Sequence, residues 1–582
     1  MPDSRKPARG AGQPPGTSSP GDFPKVRELI VVAKPEAGLR STPAGVASVA
    51  GMDITPLAGL LAAEGLRLKP LFGDSEEQVK AQAASLPASA GIVPDLSVYY
   101  HVEAPDEKLD YLAESFRQHG VVEAAYVKPP AEPAAAAPLR MESLNVMLPR
   151  EEDAPPVSPD FTANQGYLDV APGGIDARYA WTVAGGGGAG VNIIDCEWAW
   201  NRTHEDLLVN EGPVVVGAAA GDDNHGTAVQ GEMGGNRNGL GVTGICPDAF
   251  RRFAAFSLPT ATVIHNAANF LNPGDLLLLE IHRAGPRATG VGQQGYIAVE
   301  WWPDDFDAIR YASSRGVVVV EAAGNGAQNL DDPVYNTPAA GFPATWKNPF
   351  NRANRDSGAI LVGAGAPPPG THGANWGPDR SRLDFSNYGA SIDAQGWGRE
   401  VTSSGYGDLQ GGVNHNVWYT NTFSGTSSAS PIVVGSLACV QGVLRNRGRI
   451  PLSPARARDL LRTTGSPQQA SPASPLTQRI GNRPNLRQLI PAALQTSAFA
   501  GTQFTGTLQP NQTARWFTFN WPAHWHVVWT VVPTAPNAVA QQVKWKVQVE
   551  RASFAYITYW INVTNVTAVP VTFDARYNVL GW

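Results

Sequence analysis

A chain of 582 residues, 43% hydrophobic and 16% charged, is longer than one hydrophobic core organises and divides into several units. Its formal net charge of -7, from 44 basic and 51 acidic side chains, gives no electrostatic reason for nucleic acid or an acidic membrane as partner. Three cysteines, Cys196, Cys246 and Cys439, are too few for a disulfide framework and match no zinc spacing.

Residues 1–24, rich in Pro, Gly and Ser, read as a disordered leader without the apolar centre of a secretory signal. No stretch approaches the roughly 20 apolar residues of a membrane span. Synthesis in the cytoplasm follows, and the final location stays open between retention and export by a route that uses no signal peptide. Residues 25–128 read as a small α+β unit. Arg27–Ala33, Leu96–Val102 and Val121–Val127 have strand character, and Asp106–Gly120 has Leu109, Leu112, Ala113 and Phe116 at helical spacing, with Asp106 placed to cap and Gly120 to stop.

Residues 129–158, rich in Pro, Ala and acids, read as a linker exposed to cleavage. In 159–497 the apolar runs at 191–195, 274–281, 316–325 and 358–365 suit strands of a mainly parallel sheet covered by helices on both faces, an α/β domain. Residues 498–582 alternate every second residue between Pro and Asn turns and carry seven of the 16 tryptophans. That pattern predicts an antiparallel β-sandwich with most of its aromatic residues in the core.

Three short sequences in the α/β domain carry chemistry. Asp195 ends the apolar run VNIID, at the sheet edge where ligand and catalytic groups collect. His225, in Asn224-His225-Gly226-Thr227, opens a helical stretch. Ser427, in Gly425-Thr426-Ser427-Ser428-Ala429-Ser430-Pro431, enters an apolar helix, where free N–H groups favour developing negative charge. Taken singly, each has a plain structural alternative: a turn acid, a loop histidine, a serine cap. The glycine run 185–190 precedes its strand, so it is not a phosphate loop.

Together, in the order Asp, His, Ser, these motifs resemble the subtilisin-like serine peptidase family over about residues 160–490. His204-Glu205-Asp206-Leu207, Ala322-Ala323-Gly324-Asn325-Gly326 and Phe385-Ser386-Asn387-Tyr388-Gly389 agree with it. The resemblance implies a subtilisin-like fold and a serine endopeptidase in which Ser427 attacks, His225 moves the proton, Asp195 orients the imidazole and Asn325 donates to the oxyanion. Glu280 and Gly324 become candidate substrate-binding residues. Residues 25–128 become a prodomain, an intramolecular inhibitor and foldase, with Tyr126-Val127-Lys128 near Ser427 and self-processing in the linker. Protein or peptide substrates are the implied partners.

No cofactor is required for that chemistry. Structural calcium is common in the family, with Asp222-Asp223 or Asp331-Asp332 as candidate carboxylates, although neither pair has a complete ligand pattern. Cys196-Glu197 departs from the family's Thr or Ser then Gly, and puts either a reactive thiol or a buried small residue beside the site. Two other readings remain: a silent peptide-binding relative, and an adhesive protein acting through the tryptophan-rich tail.

Overall fold

The computed structural model describes residues 23–135 and 155–580, except 44, 74, 85–92, 156, 496–499, 524, 537–540 and 554–555. The leader up to residue 22 and most of the 129–158 linker lie outside the described residues.

The apolar run at the start of the N-terminal unit becomes strand Glu28–Ala33, every residue of which is buried. It is central in a four-stranded antiparallel sheet, between Tyr99–Val102 and Val122–Lys128, with Lys69–Pro70 at the edge. One face of this sheet packs Leu29 and Val31 against Leu109, Leu112, Ala113 and Phe116 of helix Leu109–Arg117, the residues whose spacing predicts that contact. The expected cap differs. Asp106 opens a 3₁₀ turn and accepts Arg27 Nε at 2.9 Å instead of capping the helix.

The other face, with Ile30, Val32 and Tyr126, shares a core with Ile194, Ile264 and Ile309 of the α/β domain. Charge is buried in this contact. Lys128, fully buried, lies 2.5 Å from Asp304, 2.8 Å from Asp305 and 2.9 Å from Glu28, and Glu28 also pairs with Arg283 at 2.6 Å. Glu28 further accepts the Thr260 hydroxyl at 2.9 Å, at the start of helix Thr260–Ala268.

The α/β domain is built on seven parallel strands in the order Ile392–Trp397, Ile360–Gly365, Val318–Ala322, Leu276–Leu279, Asn192–Glu197, Phe250–Ala255, Glu211–Val216. Helices Thr260–Ala268 and Pro303–Ser314 contribute to the core on one face. Asn224–Gly234 and Thr426–Asn446 contribute to the core on the other. Burial on both faces explains the apolar strand LLLL and the three valines that open VVVEA.

Helix Thr426–Asn446 is long and apolar enough to cross a membrane by length and composition, contrary to the expectation that no stretch comes near, but its apolar window is wholly buried in this core. It begins earlier than Pro431 suggests. Pro431 therefore falls in the second turn, where its missing N–H removes the bond that would reach Ser427 O.

The tail forms two three-stranded antiparallel sheets, Ala500–Leu508, Val571–Val579, Val527–Pro533 and Thr513–Pro522, Tyr556–Asn565, Val543–Glu550. Trp521 and Trp529 join Ile561, Val563 and Phe573 in its core. The aromatic residues divide, however: Phe517 is 57% and Phe519 62% exposed.

Candidate functional site

Strand Asn192–Glu197 alternates its side chains, so Ile193, Asp195 and Glu197 share one face while Ile194 and Cys196 point to the other. The two faces belong to different cores, Ile193 to that of helix Thr426–Asn446 and Ile194 with Cys196 to the opposite one. Asp195 and Glu197 both therefore face the helices that carry His225 and Ser427, and Glu197 stands one pleat nearer the carboxyl edge.

That pleat decides the pairing. His225, the second residue of helix Asn224–Gly234, makes a short hydrogen bond through Nδ1 to Glu197 Oε1. Asp195 is not the partner of His225, which corrects the expectation drawn from the strand-ending Asp. Its Oδ2 accepts Trp200 Nε1 and Gln230 Nε2, each at 2.8 Å. Burial, reinforced by the charge of Glu197, pushes the Asp195 carboxyl up to about 8. Burial also pushes Glu197 well up, and lowers His225 despite the opposing charges of Glu280, Asp195 and Asp222. The imidazole packs edge-on to Phe423, with centroids 5.5 Å apart, and Nε2 has no partner.

Ser427 is the second residue of helix Thr426–Asn446, so its N–H is one of those an α-helix leaves without an internal acceptor. The preceding Gly425 has φ 122, a backbone region that L side chains rarely adopt. Thr426 N donates to Asn325 Oδ1 at 2.9 Å, and Ser427 N donates to Ala134 O at 3.1 Å. The Ser427 hydroxyl is buried and lies toward Glu280. Asn325 thus lies beside the nucleophile candidate, but its Nδ2 donates to Gln293 Oε1 at 3.1 Å, and Ala134 O takes the backbone N–H alone.

Ala134 belongs to a segment read from sequence as linker. Ala131–Pro133 is instead a strand that pairs antiparallel with Ile281–Ala284, matching Pro133 to Ile281, Glu132 to His282 and Ala131 to Arg283. Ala134 N donates to Glu280 O at 3.3 Å, and Gln293 Nε2 donates to Pro133 O at 2.8 Å. Ala135 forms a bridge with Gly425. The expectation that Tyr126-Val127-Lys128 approaches Ser427 is corrected. Tyr126 and Lys128 are held on Asp304 and Asp305, and the chain enters the cleft only after two further prolines.

A serine at a helix start, a histidine on a buried acid and an extended segment paired to the serine N–H make up the candidate site. The Subtilase family profile matches residues 285–487, the part with Asn325 and Ser427. Over those residues the chain is similar to the subtilase family. The "Alkaline protease" of Alkalihalobacillus alcalophilus is 26% identical over 264 residues, 44% of this chain and 54% of that protein. Subtilisin Savinase of Lederbergia lenta is likewise 26% identical over 264 residues, 77% of its length. The chain thus spans about half the length of the first of these relatives. Fervidolysin from Fervidobacterium pennivorans, described as a keratinolytic enzyme related to subtilisin, superposes with a TM-score of 0.46 at 14% identity, covering 95% of this chain and 70% of that one.

Around this site, Glu280 is buried, and Ser430 Oγ lies 2.7 Å from both Glu280 Oε1 and Thr426 O. A hydroxyl has one proton and a carbonyl none, so both short contacts are satisfied when Glu280 carries a proton of its own. Burial, with the charge of Glu197 added, pushes its carboxyl well up in the same sense, against the pull of His225 and of the Ser427 and Ser430 hydroxyls. Gly324, the other candidate substrate-binding residue, has φ 96. A Cβ there would lie 2.8 Å from Asn387 Nδ2.

Cys196 lies on the sheet face away from His225, and burial pushes its thiol well up. His204 of the His-Glu-Asp-Leu stretch is structural, with Nε2 2.8 Å from Trp418 O.

Among the described residues no group of three or more His, Cys, Asp or Glu side chains could hold a metal. Asp222 caps Asn224, Asp331 accepts Ala390 N, and Asp332 binds Arg287 and Val334 N. Neither aspartate pair fits a calcium ligand set. Sequence reasoning missed three residues of the site, Glu197, Gln293 and His282. Of these only Glu197 left a signal, as the second acid on the same strand face.

Proposed function

We propose that this chain is a serine endopeptidase made as a precursor that cuts itself between Ala134 and Ala135. The observation that carries this reading is the pose of Ala134. Its peptide is paired in the cleft as a substrate strand would be, with its carbonyl oxygen on the Ser427 N–H. In the proposed reaction Ser427 Oγ attacks the Ala134 carbonyl carbon while His225 Nε2 takes the hydroxyl proton, and Glu197 holds the imidazole by Nδ1 and stabilises its cation. The oxyanion forms on the Ser427 N–H, and Asn325 turns its amide from Gln293 to complete the pair of donors. The Ala134–Ala135 bond breaks as His225 returns the proton to the Ala135 nitrogen, leaving Ala134 as an ester on Ser427. Water, deprotonated by the same imidazole, then releases the acid.

In this reading residues 25–134 are an inhibitory prodomain until they leave, and other proteins or peptides are the substrates afterwards. The test is expression of the wild type beside Ser427→Ala, with fluorophosphonate labelling and mass analysis of the N-terminus. A wild-type fragment beginning at Ala135, and an uncut Ser427→Ala precursor, are expected. The same processing in both chains, or a wild type that does not label, overturns the proposal.

A further inference from the structure

The segment in the cleft also reports what the cleft accepts. In the register of Ala131–Pro133 on Ile281–Ala284, Ala134 stands opposite Glu280, and Glu132 opposite His282. Side chains of directly opposed residues share a face with Cβ atoms about 4.5–5.5 Å apart, and diagonal neighbours lie about 7–8 Å away. The Ala134 methyl therefore points at Glu280, with His282 diagonally beside it.

Neither wall is free to move. Glu280 is tied to Ser430 at 2.7 Å. His282, fully buried, accepts Asn325 N on Nδ1 at 3.2 Å and packs on Tyr296 with centroids 4.9 Å apart. Behind them, Asn387 Nδ2 donates to Ala323 O at 2.7 Å and to Tyr296 O at 2.8 Å, filling the space next to Gly324. Ala134 itself is 0% exposed, so its side chain has no open mouth toward solvent. A larger side chain at this position has to displace hydrogen-bonded, buried groups.

Resting on the peptidase reading, we infer that Glu280 and His282 hold the residue before the scissile bond to alanine size, so that the substrates are small-residue segments of the kind found in the chain's own Ala/Pro linker. Overpacking of a closed site is worth about 10- to 100-fold in relative rate.

The test uses the processed enzyme and quenched peptides of sequence Ala-Glu-Pro-X-Ala-Ala with X as Ala, Val, Phe or Lys. Expected are kcat/KM values for Phe and Lys about 10- to 100-fold below that for Ala, and a Phe-to-Ala ratio raised at least about tenfold by His282→Gly. Phe cleaved as fast as Ala overturns the size limit. Lys preferred over Ala also overturns it, since Glu280 would then be a charge partner.

A second measurement does not depend on turnover. In the Ser427→Ala full chain, hydrogen exchange at the Ala134 amide is expected to stay slow with Ala134→Gly and to become fast with Ala134→Phe. Equal protection in the two variants refutes the limit. Failure of the wild type to cleave any peptide or to take fluorophosphonate counts instead against the peptidase reading, and leaves the exchange result to decide the size limit.

Discussion

Two conservative amide substitutions separate the roles of the two acids on strand Asn192–Glu197. Glu197→Gln keeps the shape of the side chain that meets His225 Nδ1 but replaces an acceptor-only carboxylate with a group that can present N–H to the ring. The imidazole then favours the tautomer with its proton on Nε2, where it cannot accept the Ser427 proton. Loss of this orienting acid in a Ser-His-acid site costs about 10⁴-fold in turnover, about 5.4 kcal/mol at 1.36 kcal/mol per decade. Asp195→Asn is different. The two donors on Oδ2, Trp200 and Gln230, can both be met by the asparagine oxygen, and a carboxyl pushed up to about 8 carries little charge to lose at neutral pH, so the loss stays under about 1 kcal/mol or about fivefold. Rates of fluorophosphonate labelling and of precursor disappearance, followed by mass spectrometry, read both variants. A 10⁴-fold loss in Asp195→Asn with Glu197→Gln near wild type would refute the assignment of the acid to Glu197.

Burial lowers His225, so in the closed precursor the imidazole stays neutral, and able to accept a proton, below the ordinary histidine value. The acid limb of self-cleavage is expected below about pH 6.5, measured by pH-jump rates; a limb above that value contradicts the burial argument. Lys128→Met leaves Glu28, Asp304 and Asp305 with Arg283 as their remaining buried cation in this cluster. Removing one partner of a buried ion cluster costs about 3–5 kcal/mol, and Asp305→Asn added to it is expected to recover part of that loss. Denaturant midpoints of the Ser427→Ala background measure both, and an unchanged midpoint for Lys128→Met would exclude the cluster as a stabilising contact. Cys196, buried with its thiol pushed up, is expected to resist iodoacetamide until the chain unfolds; rapid native labelling would place it at an accessible surface.

Much of this architecture was legible in the sequence because hydrophobic burial writes itself in simple periods. The apolar runs at 276–279 and 317–320 announced strands covered on both faces, and Leu109, Leu112, Ala113 and Phe116 announced one helix face. The locations of His225 and Ser427 followed from short motifs at helix starts. Asp195 against Glu197 could not be resolved from the sequence, since both lie on one strand face and the choice rests on about 7 Å of reach along the strand. Ala131–Pro133 was also illegible as a strand. It has little apolar pattern of its own, and its conformation comes from hydrogen bonds offered by a distant edge, Ile281–Ala284. The burial of Lys128 was not legible either, because the acids that compensate it are 176 and 177 residues away.

In the proposed self-cleaving precursor, the buried Lys128 cluster sets two separate clocks. Cutting after Ala134 removes one covalent tether, yet every contact of Lys128, Glu28 and Tyr126 with the α/β domain lies on the N-terminal side of the cut and survives it. What changes is concentration: a segment tied in place acts as if present at about millimolar level, and a severed one is subject to dilution. The first clock is therefore intramolecular and indifferent to how much protein is present. The second runs on dissociation, and speeds up when the freed segment is destroyed or carried away.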